Sequence, residues 1–202
     1  MRVGLLGGSF DPIHAGHLTL ARAALSELVL DRVLLIPTGR PPHKPERRFA
    51  PAWARYAMVE LALLDDADLW ASTLELDEAS PSYTIDTVER LRREAPELDY
   101  VLLLGADSLA ALATWRRWSE LLATTALGVL ARPGFARSEV AAAVPQELRE
   151  ALERGRVDWF EAAEHPASGT EIRRRLASGE PLPAGWIAPR VLSFVQKYRL
   201  YR

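Results

Sequence analysis

Cysteine is absent from the 202 residues, and histidine is scarce, with four copies. The first absence excludes disulfides, thiolate metal sites, iron–sulfur clusters and a cysteine nucleophile. The second leaves little material for an all-histidine metal site. Lysine occurs only as Lys44 and Lys197, so nearly all of the 25 basic residues are arginines, a bias read as coding composition and not as function. Against 27 acidic residues they leave a net charge of −2, which gives no general attraction to nucleic acid or to an acidic membrane. No apolar run approaches the ~20 residues of a membrane span. Met1 is followed almost at once by Val3-Gly4-Leu5-Leu6, without the regions of a signal peptide, so a cytoplasmic location is expected.

What is present reads as one globular domain spanning residues 1–202, with 49% hydrophobic and 26% charged residues. A chain of this length can bury about 70% of its unfolded surface, so the core needs no staple. Strands are expected at Arg2–Leu6, Arg32–Ile36, Leu69–Leu74, Tyr100–Leu104, Ala126–Leu130 and Val157–Phe160. The runs YVLLL and RVLLI are continuous, not alternating, as in strands buried on both faces. Helices are expected at Gly16–Val29, Pro51–Leu64, Thr84–Glu94, Ser108–Leu122 with a break near Thr114, Pro145–Glu153, Gly169–Ala177 and Pro189–Tyr198. The alternation predicts an α/β fold: a doubly wound, Rossmann-like parallel sheet flanked by helices, with a small C-terminal helical part. The stretch Pro37–Pro51 is the longest connection without a pattern, a length often tied to function.

The densest chemistry lies in Gly7-Gly8-Ser9-Phe10-Asp11-Pro12-Ile13-His14-Ala15-Gly16-His17, between the first strand and the first helix. Ligands of open α/β sheets bind at the carboxyl ends of strands, and a helix start offers N–H groups to phosphate. Neither the dinucleotide G-x-G-x-x-G nor a P-loop is present. His14 and His17, three apart, share a face if the helix has begun there. Three readings stand: helix capping with packing, a zinc pair lacking an obvious third ligand, or two imidazole donors aimed at a transferring phosphoryl group.

These residues resemble the HxGH signature of the nucleotidyltransferase superfamily, which moves a nucleotidyl group from ATP or CTP and releases pyrophosphate. Four later segments narrow the resemblance: Pro41-Pro42-His43-Lys44, Pro81-Ser82-Tyr83-Thr84, Gly105-Ala106-Asp107-Ser108 with Trp115, and Thr170-Glu171-Ile172-Arg173. In this order they are similar to the bacterial nicotinate mononucleotide adenylyltransferase family, from the first strand to the last helix. The resemblance implies transfer of the adenylyl group of ATP to nicotinate mononucleotide, giving nicotinate adenine dinucleotide and pyrophosphate in NAD biosynthesis, with Mg²⁺.

It also implies roles, residue by residue. His14, His17 and Arg173 are the catalytic candidates. Gly7, Gly8, Ser9, Phe10, Gly105, Asp107, Arg132, Ser168 and Thr170 are candidates for ATP. Lys44, Tyr83, Thr84 and Trp115 are candidates for the acceptor, with the Trp115 indole on the pyridine ring. No protein metal ligand is implied. Where the family shows ISSTxIR, Ala167 and Gly169 depart from the pattern, while the hydroxyls of Ser168 and Thr170 remain.

Plainer readings run beside these. Ser82 or Thr84 can cap the helix that follows, and Asp107 can cap the Ser108 helix. Trp118 reads as core, and Arg47, Arg48, Arg174 and Arg175 as solvated charges. The expected partners are ATP and nicotinate mononucleotide, with no nucleic acid and no membrane; a homo-oligomer stays open. The alternatives are an adenylyltransferase acting on nicotinamide mononucleotide or another phosphate acceptor, and a non-catalytic nucleotide-binding regulator.

Overall fold

The computed structural model describes residues 1–40, 49–77, 81–131 and 144–202. Lys44 and Arg132, with His43, Arg47 and Arg48, lie outside the described residues. Six strands, β1 Arg2–Gly8, β2 Arg32–Pro37, β3 Leu69–Ala71, β4 Asp99–Gly105, β5 Ala126–Ala131 and β6 Val157–Glu161, form one sheet in the order β3-β2-β1-β4-β5-β6. The pairs β1–β4, β4–β5 and β5–β6 are parallel. That order, reversing direction between β1 and β4, is the doubly wound arrangement expected from the alternation of strand and helix. The described helices are α1 Ala15–Glu27, α2 Ala52–Leu63, α3 Thr84–Glu94, α4 Ala106–Ala110, α5 Trp118–Thr124, α6 Gln146–Arg154, α7 Gly169–Ser178 and α8 Pro189–Lys197. Among the described residues, no helix is long and apolar enough to cross a membrane.

Two strand bounds need correction. β1 runs on through Gly7 and Gly8, because the Thr38 N–H donates to the Gly8 carbonyl at 2.9 Å and prolongs the pairing. β3 stops at Ala71, short of the expected Leu74. The break expected near Thr114 in Ser108–Leu122 is present: two helices start at Ala106 and Trp118, with a 3₁₀ turn at Leu112–Thr114 between them. The Thr114 hydroxyl donates back to the Ala111 carbonyl at 2.7 Å, a local bond that competes with helix continuation. Arg117 then takes a left-handed φ of 52°. Trp115 and Trp118 are therefore not neighbours on one helix face, and Trp118 is half-buried, not core.

Contacts group the chain into two compact units, which are described separately. The first comprises Met1–Leu6, Arg22–Leu34 and Tyr83–Ala162. Its centre is β4, where Tyr100 through Leu104 are all buried, as the continuous apolar run requires. α3 contributes Ile85, Val88 and Leu91 at helical spacing, and α5 adds Leu121 and Leu122. Arg117 fixes the start of α5 against α3, its guanidinium reaching Glu89 and Glu120, each at 2.7 Å.

The second unit comprises Gly7–Ala21, Leu35–Ser82 and Ala163–Arg202. Here α2 packs on α8, and α2 carries a fully buried charge, Arg55. Its guanidinium donates to the carbonyls of Ala50, Ser9, Thr38 and Gly39 at 2.7–3.0 Å. Four acceptors distributed around a planar fork suit arginine and no other side chain. Gly39 sits where a Cβ would fall onto the carbonyl oxygens of Glu75 and Asp77, so only glycine permits that approach.

Candidate active site

The carboxyl end of β1 leads into a loop whose carbonyls are held from within the unit. Gly8 accepts from Thr38, Ser9 from Arg55, and Asp11 from Arg173. Phe10 has a left-handed φ of 44°, strained for a non-glycine residue, while its ring is fully buried. A Cβ at Gly8 would lie 3.1 Å from that ring, so packing accounts for Gly8. A Cβ at Gly7 would meet nothing within 4 Å, so Gly7 borders open space.

His14 stands just ahead of α1, and His17 is in its first turn. Their rings lie 3.7 Å apart at 30°, and Phe10 meets the His17 ring edge-on at 5.0 Å. The backbone N–H of His14 donates to Nδ1 of His17 at 3.2 Å, while the His14 carbonyl accepts from the N–H groups of His17 and Leu18. This is the half of a capping box in which the N3 side chain returns to the N-cap N–H, with imidazole in the place of Glu or Gln. Capping is thus one of His17's functions. It also has a chemical result: with Nδ1 accepting, the neutral ring carries its proton on Nε2, the atom left to donate to a ligand.

Both rings resist protonation. Burial, then the nearby His14, lowers His17 to about 3. Burial first, then the fields of His165 and Arg173, lowers His14 to about 4. The unfolded chain takes up protons near 6.5, before the folded one, so this contribution to stability is full above that pH and is lost as pH falls toward 4 and 3. Two results are expected: the thermal midpoint drops between pH 7 and pH 4, and the ¹⁵N resonances of both imidazoles keep neutral-ring shifts down to pH 5. Imidazolium shifts at pH 6 in the folded protein would contradict this.

The same unit holds the late helix start. Ser168 is the N-cap of α7, its hydroxyl accepting from the Glu171 N–H at 3.2 Å. Arg173 donates to the Asp11 carbonyl at 2.5 Å and to the Thr170 hydroxyl at 3.2 Å. A Cβ at Gly169 would stand 3.1 Å from Nη1 of Arg173 and 3.3 Å from the Asp11 carbonyl. The departure from the family pattern at Gly169 therefore leaves room beside Arg173. His165 is tied down through Nδ1, which accepts from the Ala167 N–H at 3.1 Å. Arg174 and Arg175 lie in surface ion pairs with Glu171, as their reading as solvated charges expects.

The described acceptor candidates, Tyr83, Thr84 and Trp115, lie in the other unit. Tyr83 is the N-cap of α3, and no side chain caps this end. The expected cap by Ser82 or Thr84 is not formed, and Asp86 in the first turn meets the positive end of the helix instead. Arg116 lies over the Tyr83 ring at 4.7 Å and reaches Asp86 at 3.2 Å. Trp115 follows the 3₁₀ turn and is half-buried. Gly105 ends β4, with open space where its Cβ would be. Asp107 lies in the first turn of α4 and is not its cap; Gly105 holds that position.

Sequence reading passed over Asp11, Arg55 and Arg116. Asp11 had a signal, since it lies inside the quoted GGSFDP run. Arg55 had one as well, an arginine among Ala52, Ala54, Met58 and Val59 on a helix otherwise turned inward. Arg116 had none, because only the break after Thr114 brings it over Tyr83.

A parallel sheet in this order, with stacked neutral imidazoles at one strand end and an arginine-bearing helix start in the same unit, is the layout of a nucleotidyl-transfer fold. The chain belongs to the cytidylyltransferase-like family, whose model matches residues 5–175. It is 42% identical to a probable nicotinate-nucleotide adenylyltransferase of Chromobacterium violaceum, covering 100% of this chain and 99% of that one. It is 41% identical to the enzyme of the same description from Thermus thermophilus, covering 100% of both. Among solved structures, the nicotinic acid mononucleotide adenylyltransferase of Plasmodium falciparum complexed with NaAD shares the fold, with a TM-score of 0.79 at 16% identity. That match covers 99% of this chain and 97% of that one.

Proposed function

We propose that this chain transfers the adenylyl group of ATP to nicotinate mononucleotide, yielding nicotinate adenine dinucleotide and pyrophosphate. Full-length relatives of about 40% identity bearing that activity in their names support the reading. The observation that carries its chemistry is the His14–His17 pair, both rings neutral and His17 locked with its proton on Nε2.

The acceptor phosphate, with a second pKa near 6, is largely dianionic at neutral pH and needs no general base. One of its oxygens bonds to the α-phosphorus of ATP in line, and the bridging α–β bond breaks, its electron pair leaving with pyrophosphate. Nε2–H of His17, with His14 beside it, donates to the oxygens on which charge builds. The start of α7, with Ser168, Thr170 and Arg173, holds the departing phosphates. Gly7, with open space where its Cβ would be, allows close approach of the nucleotide.

No three His, Asp or Glu side chains gather as a metal cage among the described residues. Asp11, beside Arg173, is already engaged by the Ala50 N–H and the Tyr201 hydroxyl. A Mg²⁺ ion carried in on ATP would be held chiefly by the substrate phosphates. When bound, it neutralises triphosphate charge.

The uncapped start of α3 and the Arg116 cation beside Tyr83 favour an acidic pyridine ring over its amide. The test is an initial-rate comparison with ATP and either nicotinate or nicotinamide mononucleotide. The nicotinate substrate should be strongly preferred, and Arg116→Gln should narrow the preference about tenfold, the worth of roughly 1.4 kcal/mol of charge pairing. Equal rates for the two acceptors in the unaltered enzyme would refute this acceptor assignment.

A further inference from the structure

We propose that Tyr201 is a positioning residue for the reaction, holding Arg173 in its working orientation through the carboxylate of Asp11. The inference rests on the reading of Arg173 as a ligand of the leaving phosphates.

The contacts form a short relay. Asp11 is 3% exposed. Its Oδ1 accepts from the Tyr201 hydroxyl at 2.8 Å and from the Ala50 N–H at 3.1 Å. Its Oδ2 faces Nη1 of Arg173 at 3.8 Å, and the same nitrogen donates to the Asp11 carbonyl at 2.5 Å. Two donors on one carboxylate oxygen fix the torsion of the group, and so direct the other oxygen at the guanidinium. The phenol is suited to a constant donor. Burial first, then the Asp11 charge, raises it far above its ordinary value, so the hydroxyl keeps its proton at any working pH. Arg173 and Arg55 act on the same phenol in the opposite sense, which places it within the field of both guanidinium groups.

An arginine at a helix start has several staggered arrangements. One that binds pyrophosphate must present its fork without first breaking other bonds. With Tyr201 in place, Asp11 holds Nη1 through both its carbonyl and its carboxylate, while Nη2 donates to the Thr170 hydroxyl at 3.2 Å. Without the phenolic hydroxyl, the carboxylate loses one of the two donors on Oδ1 and is held less firmly toward Arg173, whose bond to the Asp11 carbonyl remains. The consequence falls on the step in which charge moves to the leaving group, not on recognition of the acceptor.

The experiment compares Tyr201→Phe and Arg173→Ala, singly and combined, by steady-state kinetics with ATP and nicotinate mononucleotide. Tyr201→Phe keeps the ring and its packing. It should lower kcat about tenfold, within the reach of one hydrogen bond to a charged group, and leave the KM for nicotinate mononucleotide within about twofold. In the Arg173→Ala background the same change should have no further effect, because the relay then has nothing to position. Equal losses in both backgrounds would overturn the proposal, as would wild-type kcat for Tyr201→Phe beside an impaired Arg173→Ala. Wild-type turnover by Arg173→Ala would instead overturn the parent assignment, and this one with it. If Tyr201→Phe folds poorly, Asp11→Asn supplies the same comparison from the other end of the relay.

Discussion

Replacing His17 by alanine is expected to lower kcat about 10²–10³-fold, the usual cost of removing one donor at a developing negative charge, or roughly 3–4 kcal/mol. The expectation follows from geometry as much as from chemistry. The ring of His17 lies against that of His14 at 3.7 Å and meets Phe10 edge-to-face at 5.0 Å, and its Nδ1 is engaged. The donor is thus fixed in place and tautomer before substrate arrives. His17→Ala also removes the cap from the His14 N–H, which would confuse a loss of catalysis with a loss of helix start. His17→Gln separates the two, since glutamine at this position of a capping box can take the same N–H while lacking an imidazole. Both variants should lose turnover to a similar degree, with the glutamine variant retaining a thermal midpoint within a few degrees of the unaltered enzyme. A glutamine variant within tenfold of wild-type kcat would remove His17 from the chemistry and leave it a capping residue.

Arg55→Ala is expected to have the largest effect on stability, about 4 kcal/mol. The side chain is 0% exposed and its fork holds four main-chain carbonyls. Its loss leaves several buried acceptors unsatisfied, each costing about 1–3 kcal/mol before relaxation, and opens a cavity besides. In a chain of this size that corresponds to a fall of about 8–16 °C in the midpoint of thermal unfolding. Arg55→Lys should recover only part of it, because an ammonium cannot reach four carbonyls spread around a plane. Urea unfolding monitored by circular dichroism gives the difference directly, and a loss below 1 kcal/mol for the alanine variant would show that water replaces the guanidinium at little cost. Activity should fall as well, since Ser9 O belongs to the loop that carries Phe10 and leads to His14.

The two residues behind these expectations differ in how far the sequence discloses them. His17 announces itself, because two of four histidines fall in one strand-to-helix turn, and local spacing is enough to bring them together. The parallel sheet was equally open to reading, since YVLLL and RVLLI admit few places other than a strand buried on both faces. Arg55 was hidden among some twenty other arginines, and its worth depends, besides nearby Ala50, on carbonyls of Ser9, Thr38 and Gly39, partners distant in sequence that no periodicity reveals. The break near Thr114 in Ser108–Leu122 was legible, but not its path: a hydroxyl at Thr114 and a left-handed Arg117 set it through backbone geometry that composition does not encode. The same break moves Trp118 away from the interior and places Arg116 over Tyr83. Asp11 was visible as a letter in the motif, but its bond to Tyr201 spans 190 positions and only the folded chain discloses it.

The neutrality of the stacked imidazoles has a consequence for how the enzyme meets salt. Mobile ions weaken contacts between full charges at exposed positions, and they have little purchase on fixed N–H dipoles that carry no net charge. In the proposed roles, Arg173 would hold an incoming triphosphate by a contact of full charges, softened in its salt dependence because only 21% of its side chain is open to solvent, and the donors at the reacting phosphorus would be of the second kind. On that reading, raising ionic strength is expected to raise the KM for ATP more than it lowers kcat. A cell whose ionic content fluctuates would alter how often this site is filled more than how fast a filled site reacts.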